Sequence, residues 1–226
     1  TQLINHLIET ELTSYNIPIP MQSNHTSTIQ ESKIRVAILM GGASNEREIS
    51  LESGRNVTYK LSPQKYEAIP IFVSQEMKLY KIDQSLLVRN STKEIAALVN
   101  ENMHIAWDAL TSIADFCFIG LHGGQGEDGS VQGMLEMLNM PYNGSGVLSS
   151  ALCMNKYKTN RYLASQGFDI APSILISKHQ WHQSIDICLE TIMSTCSFPL
   201  IVKPHDDGCS VMVNKVTTTQ ELETAI

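Results

Sequence analysis

Long apolar runs are missing from the 226-residue chain; no stretch approaches the length that a membrane-spanning helix needs. The expected partners therefore do not include a membrane. Charge is modest, at 17% Asp, Glu, Lys and Arg, and the net charge is −7, which argues against nucleic acid as a partner. Cysteine is sparse and unpatterned. The five cysteines stand at 117, 153, 188, 196 and 209, odd in number and with no Cys-x-x-Cys pair. That pattern excludes a regular disulfide framework and a zinc site built on such pairs, and it points to a reducing compartment. The histidines add no metal signature, since none stands at ligand spacing from a Cys or Glu, and His179 and His182 read as a polar loop or helix start. Thr1 to Thr10 is polar, without the basic start and apolar centre of a secretory signal, so the cytoplasm is the expected location. What is left, 42% hydrophobic residues over a length that suits one large domain or two small ones, is ordinary for a globular protein.

The most informative stretch runs from Phe116 to Ser130. Phe116 to Leu121 is apolar and fits a buried strand. His122 falls at its end, glycines follow at 123, 124, 126 and 129, and Val131 to Leu138 places apolar residues at helical spacing. A strand, a glycine-rich turn and a helix start form the usual ligand position of an open α/β sheet, because free N–H groups and the helix dipole meet there. The alternative is that the glycines only permit a tight turn. Gly124, Gly126 and Gly129 also match the dinucleotide fingerprint literally. Chemistry argues against that reading: Glu127 and Asp128 would set two negative charges against a pyrophosphate, and no acid stands about twenty positions on. Acid in the loop suits a cationic substrate group or a structural role.

Residues 1–32 look unlike the rest. Gln2 to Leu12 predicts a short amphipathic helix with Leu3, Ile4, Leu7 and Ile8 on one side, followed by a run rich in Pro, Ser, Thr and Asn, the composition of a linker or the tail of a preceding module. Ile34 to Met40 is too apolar for a half-exposed strand and predicts the middle of a parallel sheet. After Gly41 and Gly42, a helix from about Ser44 to Leu61 begins, with Ser44 as a candidate cap and Glu46 and Glu48 in its first turn. Glu46 is either a helix-start carboxylate or a group placed to meet an ammonium. Tyr66 to Val73 is a second strand, Met77 to Ile82 a short edge strand, and Pro141 to Gly144 a return to the sheet. Alternating strands and helices imply a doubly wound parallel sheet over residues 33–147, with both glycine turns, and hence Glu46 and His122, at one edge. A second unit covers residues 148–226. It has a helix from Asn155 ended by Gly167, a strand Pro172 to Ser177, a helix Ser184 to Cys196, a strand Phe198 to Pro204 paired in a hairpin with Val211 to Val216, and a helix starting at Gln220. Lys156, Lys158 and Arg161 read individually as solvated helix residues. Lys203, between an apolar strand and a glycine-containing loop, either meets a nucleotide phosphate or snorkels at a strand end.

Five blocks carry a resemblance: Met40 to Gly54, Leu121 to Gly133, Pro141 to Gly146, Ser150 to Lys156 and Pro199 to Pro204. In order and spacing they resemble the D-alanine–D-alanine ligases of the ATP-grasp superfamily. The resemblance implies a pre-ATP-grasp α/β domain followed by part of an ATP-grasp α+β subdomain. It implies ATP and Mg2+ as cofactors, D-alanine as substrate, and formation of D-alanyl-D-alanine for peptidoglycan through an acyl phosphate. Glu46 matches the glutamate that holds the first D-alanine's ammonium, and His122 the histidine beside the reacting carboxylate. Lys156 and Lys203 match two lysines on the ATP phosphates. Cys209 stands where the family carries a serine that ties the glutamate to a mobile loop, and Ser210 follows it in the phosphate-covering loop. A thiol is the weaker donor. Met212 stands in place of a glycine of the same loop, where a side chain hinders close backbone approach.

The resemblance also implies a chain that continues. The metal-binding carboxylates are expected beyond Ile226, so the sequence reads as a fragment, inactive in ligation by itself. Family members are commonly dimeric through the first domain, and some are fused behind a UDP-N-acetylmuramate–L-alanine ligase; both are expected partners. The alternatives are a non-catalytic remnant that binds D-alanine or a protein, and a ligase that takes D-lactate or D-serine as its second substrate.

Overall fold

A computed structural model describes residues 2–19, 32–208 and 212–226. The chain divides into two compact units, Thr1–Ser150 and Ala151–Ile226. The elements of the first, in chain order, are α1 (Gln2–Ser14), β1 (Ile34–Gly41), α2 (Arg47–Lys60), β2 (Tyr66–Val73), β3 (Leu79–Lys81), α3 (Thr92–Ala96), β4 (His104–Ile105), α4 (Leu110–Ile113), β5 (Phe116–Ile119), α5 (Ser130–Met137) and α6 (Val147–Met154), the last crossing the boundary between units.

The strands form one sheet in the order β4-β3-β2-β1-β5. β1 is parallel to both β2 and β5. Its side chains alternate between two cores, as the period of two in a strand requires. Ile34, Val36, Ile38 and Met40 pack with Leu51 and Val57 of α2 on one face. Ala37 and Leu39 pack with Leu110 of α4 and with Val131 and Leu135 of α5 on the other. Helices on both faces explain why β1 is apolar from Val36 onward, Arg35 at its start pairing with Asp115 at 2.6 Å. The segment from Pro141 returns to the sheet as expected, through a parallel bridge between Tyr142 and Cys117. Cys117 is fully buried there and its thiol is pushed up by desolvation, as befits a core residue.

The sheet is mixed rather than wholly parallel, because β3 and β4 run antiparallel to their neighbours. For β3, connection length is the reason. Only Ser74 to Lys78 separate β2 from β3, too short for the crossover a parallel pair requires. The Ser74 N–H instead closes the turn on the Lys78 carbonyl at 2.9 Å. β4, not β3, forms the outer edge.

The N-terminal helix forms, with a different apolar face from the one expected. Ile8 and Leu12 are buried in the first unit's core and Ile4 packs against it, whereas Leu3 and Leu7 are exposed. Spacing of four residues, not the pair of adjacent doublets, chooses the face. Polar contacts fix the register: Glu9 pairs with Lys65 at 2.6 Å, and the Asn5 side chain accepts from the Ser62 N–H at 3.1 Å. Tyr66 lies beside this helix, where burial and the Glu9 charge push its pKa up to about 12. The Pro- and Ser-rich run expected as a linker falls mostly outside the described residues.

The second unit holds α7 (Lys156–Ser165), α8 (Lys178–Gln183), α9 (Ile185–Thr195), β6 (Leu200–Val202), β7 (Asn214–Val216) and α10 (Thr219–Ala225). β6 and β7 form an antiparallel hairpin. Asn155 caps α7 by accepting from the Lys158 N–H, and Gly167 follows the helix with φ +85°. His179 and His182 lie in α8, which opens with a reciprocal capping box of Ser177 and Gln180. The strand expected over Pro172 to Ser177 is an extended segment outside both described ladders. Ile174 and Ile176 do alternate inward against Ile192, Val216 and Leu222, with Leu175 outward. The period of two is real; the hydrogen-bonding partner is not among the described residues.

Helix α2 approaches β1 so closely that a Cβ added at Gly54 would lie 2.5 Å from the Cβ of Met40. Gly54→Ala is therefore expected to destabilise the chain by about 1–3 kcal/mol through overpacking. Gly133→Ala in α5, whose new Cβ would meet nothing nearer than 3.7 Å, should be neutral or stabilising by up to about 1 kcal/mol. Urea unfolding of both variants measures the contrast.

Candidate active site

Two glycine turns, after β1 and after β5, lie side by side at the C-terminal edge of the parallel strands, and the start of α2 is fastened across both. The Ser50 hydroxyl accepts from the Gly41 N–H at 2.9 Å and donates to the Gly120 carbonyl at 2.8 Å, all buried. The Gly120 N–H in turn donates to the Leu39 carbonyl at 3.0 Å. Ser44, expected to cap α2, has another job. The helix takes Glu46 as its cap residue, without a side-chain capping bond, and the Ser44 hydroxyl accepts from the Glu46 N–H while donating to the His122 carbonyl. Ser53 holds the same histidine from the other side, its hydroxyl 2.9 Å from His122 Nε2.

These links bring Glu46 and His122 close together at the C-terminal edge of β1 and β5. Glu46 is 8% exposed, and its Oε1 is buried with no hydrogen-bond partner among the described residues. Gly123, with φ +66°, leaves room for it: a Cβ there would sit 3.5 Å from the Glu46 carboxyl carbon and 3.3 Å from Ser44. A carboxylate oxygen left bare in a buried place, at the positive end of a helix, is a receptor for a cationic group. Glu48, its neighbour in the first turn, faces away and accepts from both the N–H and the hydroxyl of Thr92 at the start of α3. The acids of the second turn divide similarly. Asp128 accepts from the Ser130 N–H at the start of α5, a structural role, and Glu127 is exposed.

In the second unit Lys156 and Lys203 line one cavity of about 770 Å3, together with Tyr157, Asn160, Pro204 and Met212. That volume suits a nucleotide-sized ligand. The Lys156 N–H donates to the His205 carbonyl at 2.8 Å and its Nζ donates to the Asp207 carbonyl, so the first turn of α7 is tied to the loop after β6. Lys158 and Arg161 are exposed and do not line the cavity. Cys209 and Ser210 lie outside the described residues. Met212 adopts φ +55°, the left-handed region that favours glycine, with its side chain 71% exposed. Among the described residues no group of three His, Cys, Asp or Glu stands close enough to hold a metal ion, and no helix is long and apolar enough to cross a membrane.

The serines at 44, 50 and 53 were the part of the site that sequence reasoning missed. A signal was present: Ser50 and Ser53 interrupt the apolar stripe of Leu51, Gly54 and Val57 on the inner side of α2. A polar residue there needs a partner.

Two family profiles cover the chain, the N-terminus of D-alanine–D-alanine ligase over residues 35–145 and its C-terminus over residues 162–226. The chain belongs to the D-alanine–D-alanine ligase family. It is 33% identical over 210 residues to the D-alanine–D-alanine ligase of Pelodictyon phaeoclathratiforme, an alignment that takes in 86% of this chain and 58% of that protein. Among solved structures, it is similar to the VanG D-Ala:D-Ser ligase of Enterococcus faecalis, with TM-score 0.70, 26% identity, and coverage of 86% of this chain and 59% of the other. The D-alanine–D-alanine ligase of Coxiella burnetii superposes with TM-score 0.66 and 33% identity over 85% of this chain and 57% of the other. The chain thus spans rather more than half the length of these relatives, and its α/β architecture is that of the ATP-grasp ligases.

Ser50→Ala would leave the buried Gly41 N–H and Gly120 carbonyl without a partner. A loss of about 1–3 kcal/mol of stability is expected, measurable by equilibrium unfolding in urea.

Proposed function

We propose that these residues serve the ATP-dependent joining of two D-alanines into D-alanyl-D-alanine, for peptidoglycan synthesis, in the cytoplasm. The single observation that carries the substrate assignment is the buried Oε1 of Glu46, unpartnered among the described residues. D-alanine is a zwitterion with few atoms to grip, so its ammonium and carboxylate must be held separately if it is to be oriented for attack. Glu46 takes the ammonium. His122, its carbonyl and ring both restrained, stands beside the carboxylate that becomes activated. Lys156 and Lys203 place positive charge on the phosphates of ATP, where charge on the transferring phosphoryl group is most useful. Bound ATP with magnesium would supply that phosphoryl group, forming the acyl phosphate that the second amine attacks. The magnesium ligands are expected, from the resemblance, in the part of the family fold beyond Ile226. For Cys209 and Ser210 only the resemblance suggests a role, near the phosphates, and a thiol is a weaker donor than a hydroxyl. We propose homodimers through the first unit and fusion behind a muramate ligase only on the strength of the resemblance.

D-serine as second substrate is the rival reading, favoured by the likeness to VanG. A non-catalytic remnant is another, favoured by Met212 in place of the glycine that the resemblance implies.

Thermal unfolding of the 226-residue chain across a D-alanine titration tests the first step. D-alanine should raise the midpoint and L-alanine should not. Glu46→Gln, which keeps the shape and removes the charge, should weaken D-alanine at least about tenfold, since it leaves an ammonium without its counter-charge. Equal binding by wild type and Glu46→Gln would contradict the assignment.

A further inference from the structure

His122 is restrained in a manner that bears on which of its nitrogens can act. Its carbonyl accepts from Ser44, and its Nε2 lies 2.9 Å from the Ser53 hydroxyl. Among the described residues that is the imidazole's one hydrogen bond. A neutral imidazole carries one N–H and one lone pair, so the partner at one nitrogen decides the state of the other. The Ser53 hydroxyl can donate or accept. In a helix a serine hydroxyl often donates to the carbonyl four residues back, as Thr58 does to Gly54 in the same helix, at 2.8 Å. Ser53 makes no such bond among the described residues, and its proton is free for the histidine.

We infer that Ser53 donates to Nε2 and thereby holds His122 as the Nδ1–H tautomer, making Ser53 a positioning residue for the site. The consequence is chemical. The nitrogen turned to Ser53 is an acceptor and is occupied; the other carries the proton and is a donor. A donor is what a carboxylate, or the more negative acyl phosphate formed from it, requires as a neighbour. With the opposite tautomer, the free nitrogen would present a lone pair to an anion. Ser53 therefore acts through His122 and does not itself touch substrate. The link is also well supported. Ser53 is one turn beyond Ser50, which is fixed to Gly120, two residues before the histidine. The helix and the turn cannot shift relative to each other without breaking both bonds. This inference rests on the proposed role of His122 beside the substrate carboxylate.

The test is nitrogen-15 NMR of the imidazoles at a pH above the ordinary histidine range, with His122 assigned by its loss in His122→Gln. The expected wild-type pattern is a protonated Nδ1 and an unprotonated Nε2. Ser53→Ala should move this signature towards the other tautomer and weaken D-alanine by about three- to tenfold, the span of one modest hydrogen bond. Ser53→Thr, which keeps the hydroxyl, should restore both. A wild-type Nε2–H pattern, or signals that do not respond to Ser53→Ala, would overturn the inference. If the signature behaves as expected but D-alanine binds to no variant and not to wild type, the Ser53–His122 coupling holds and the substrate assignment falls.

Discussion

The first unit depends on one close approach, that of helix α2 to the ends of two parallel strands. Glycine at 54 lets the helix backbone reach Met40, and Gly120 lies against both Gly54 and the Leu39 carbonyl. At that distance a serine side chain is long enough to bridge turn to turn, and Ser50 does so with a hydrogen bond at each end. Everything in the crevice follows from this. Glu46 begins the same helix, Ser53 lies one turn further on, and His122 is two residues beyond the bridged Gly120. The site is preorganised by backbone proximity and short side chains, whose few rotatable bonds leave little freedom to lose.

The second unit uses a different device. Its two lysines come from the start of α7 and the end of β6, elements joined by the Lys156 N–H to the His205 carbonyl. A cavity lined by a lysine from each is therefore a property of that junction. Met212 shares the cavity wall and has the backbone conformation of a glycine, although its side chain projects outward. A non-glycine residue in that left-handed conformation carries a local cost of order 1 kcal/mol.

Much of this was legible in the sequence, for identifiable reasons. β1 announced itself by the apolar run from Val36 to Met40, because both of its faces are covered. The pairing of Glu46 with His122 followed from the rule that strand ends of a parallel sheet share an edge, and α7 followed from Asn155 and Gly167. The antiparallel β3 and β4 were harder, being three and two residues long, too short for a periodic signal. The direction of β3 is set by the five-residue connection from β2 rather than by its own residues. The face of α1 was misread because Leu3 and Leu7 are as apolar as Ile4 and Ile8, and only the tertiary partner, with Lys65 and Ser62 in reach, selects between them. The serines of the site were visible as letters but not as contacts, since a hydroxyl's role is defined by a partner some seventy residues away.

The most direct measurement is a crystal structure of the chain with D-alanine bound. The account predicts the ammonium nitrogen within hydrogen-bonding distance of Glu46 Oε1 and the carboxylate on the His122 side of the crevice. D-alanine bound the other way round, or elsewhere with Glu46 Oε1 still bare, would contradict it.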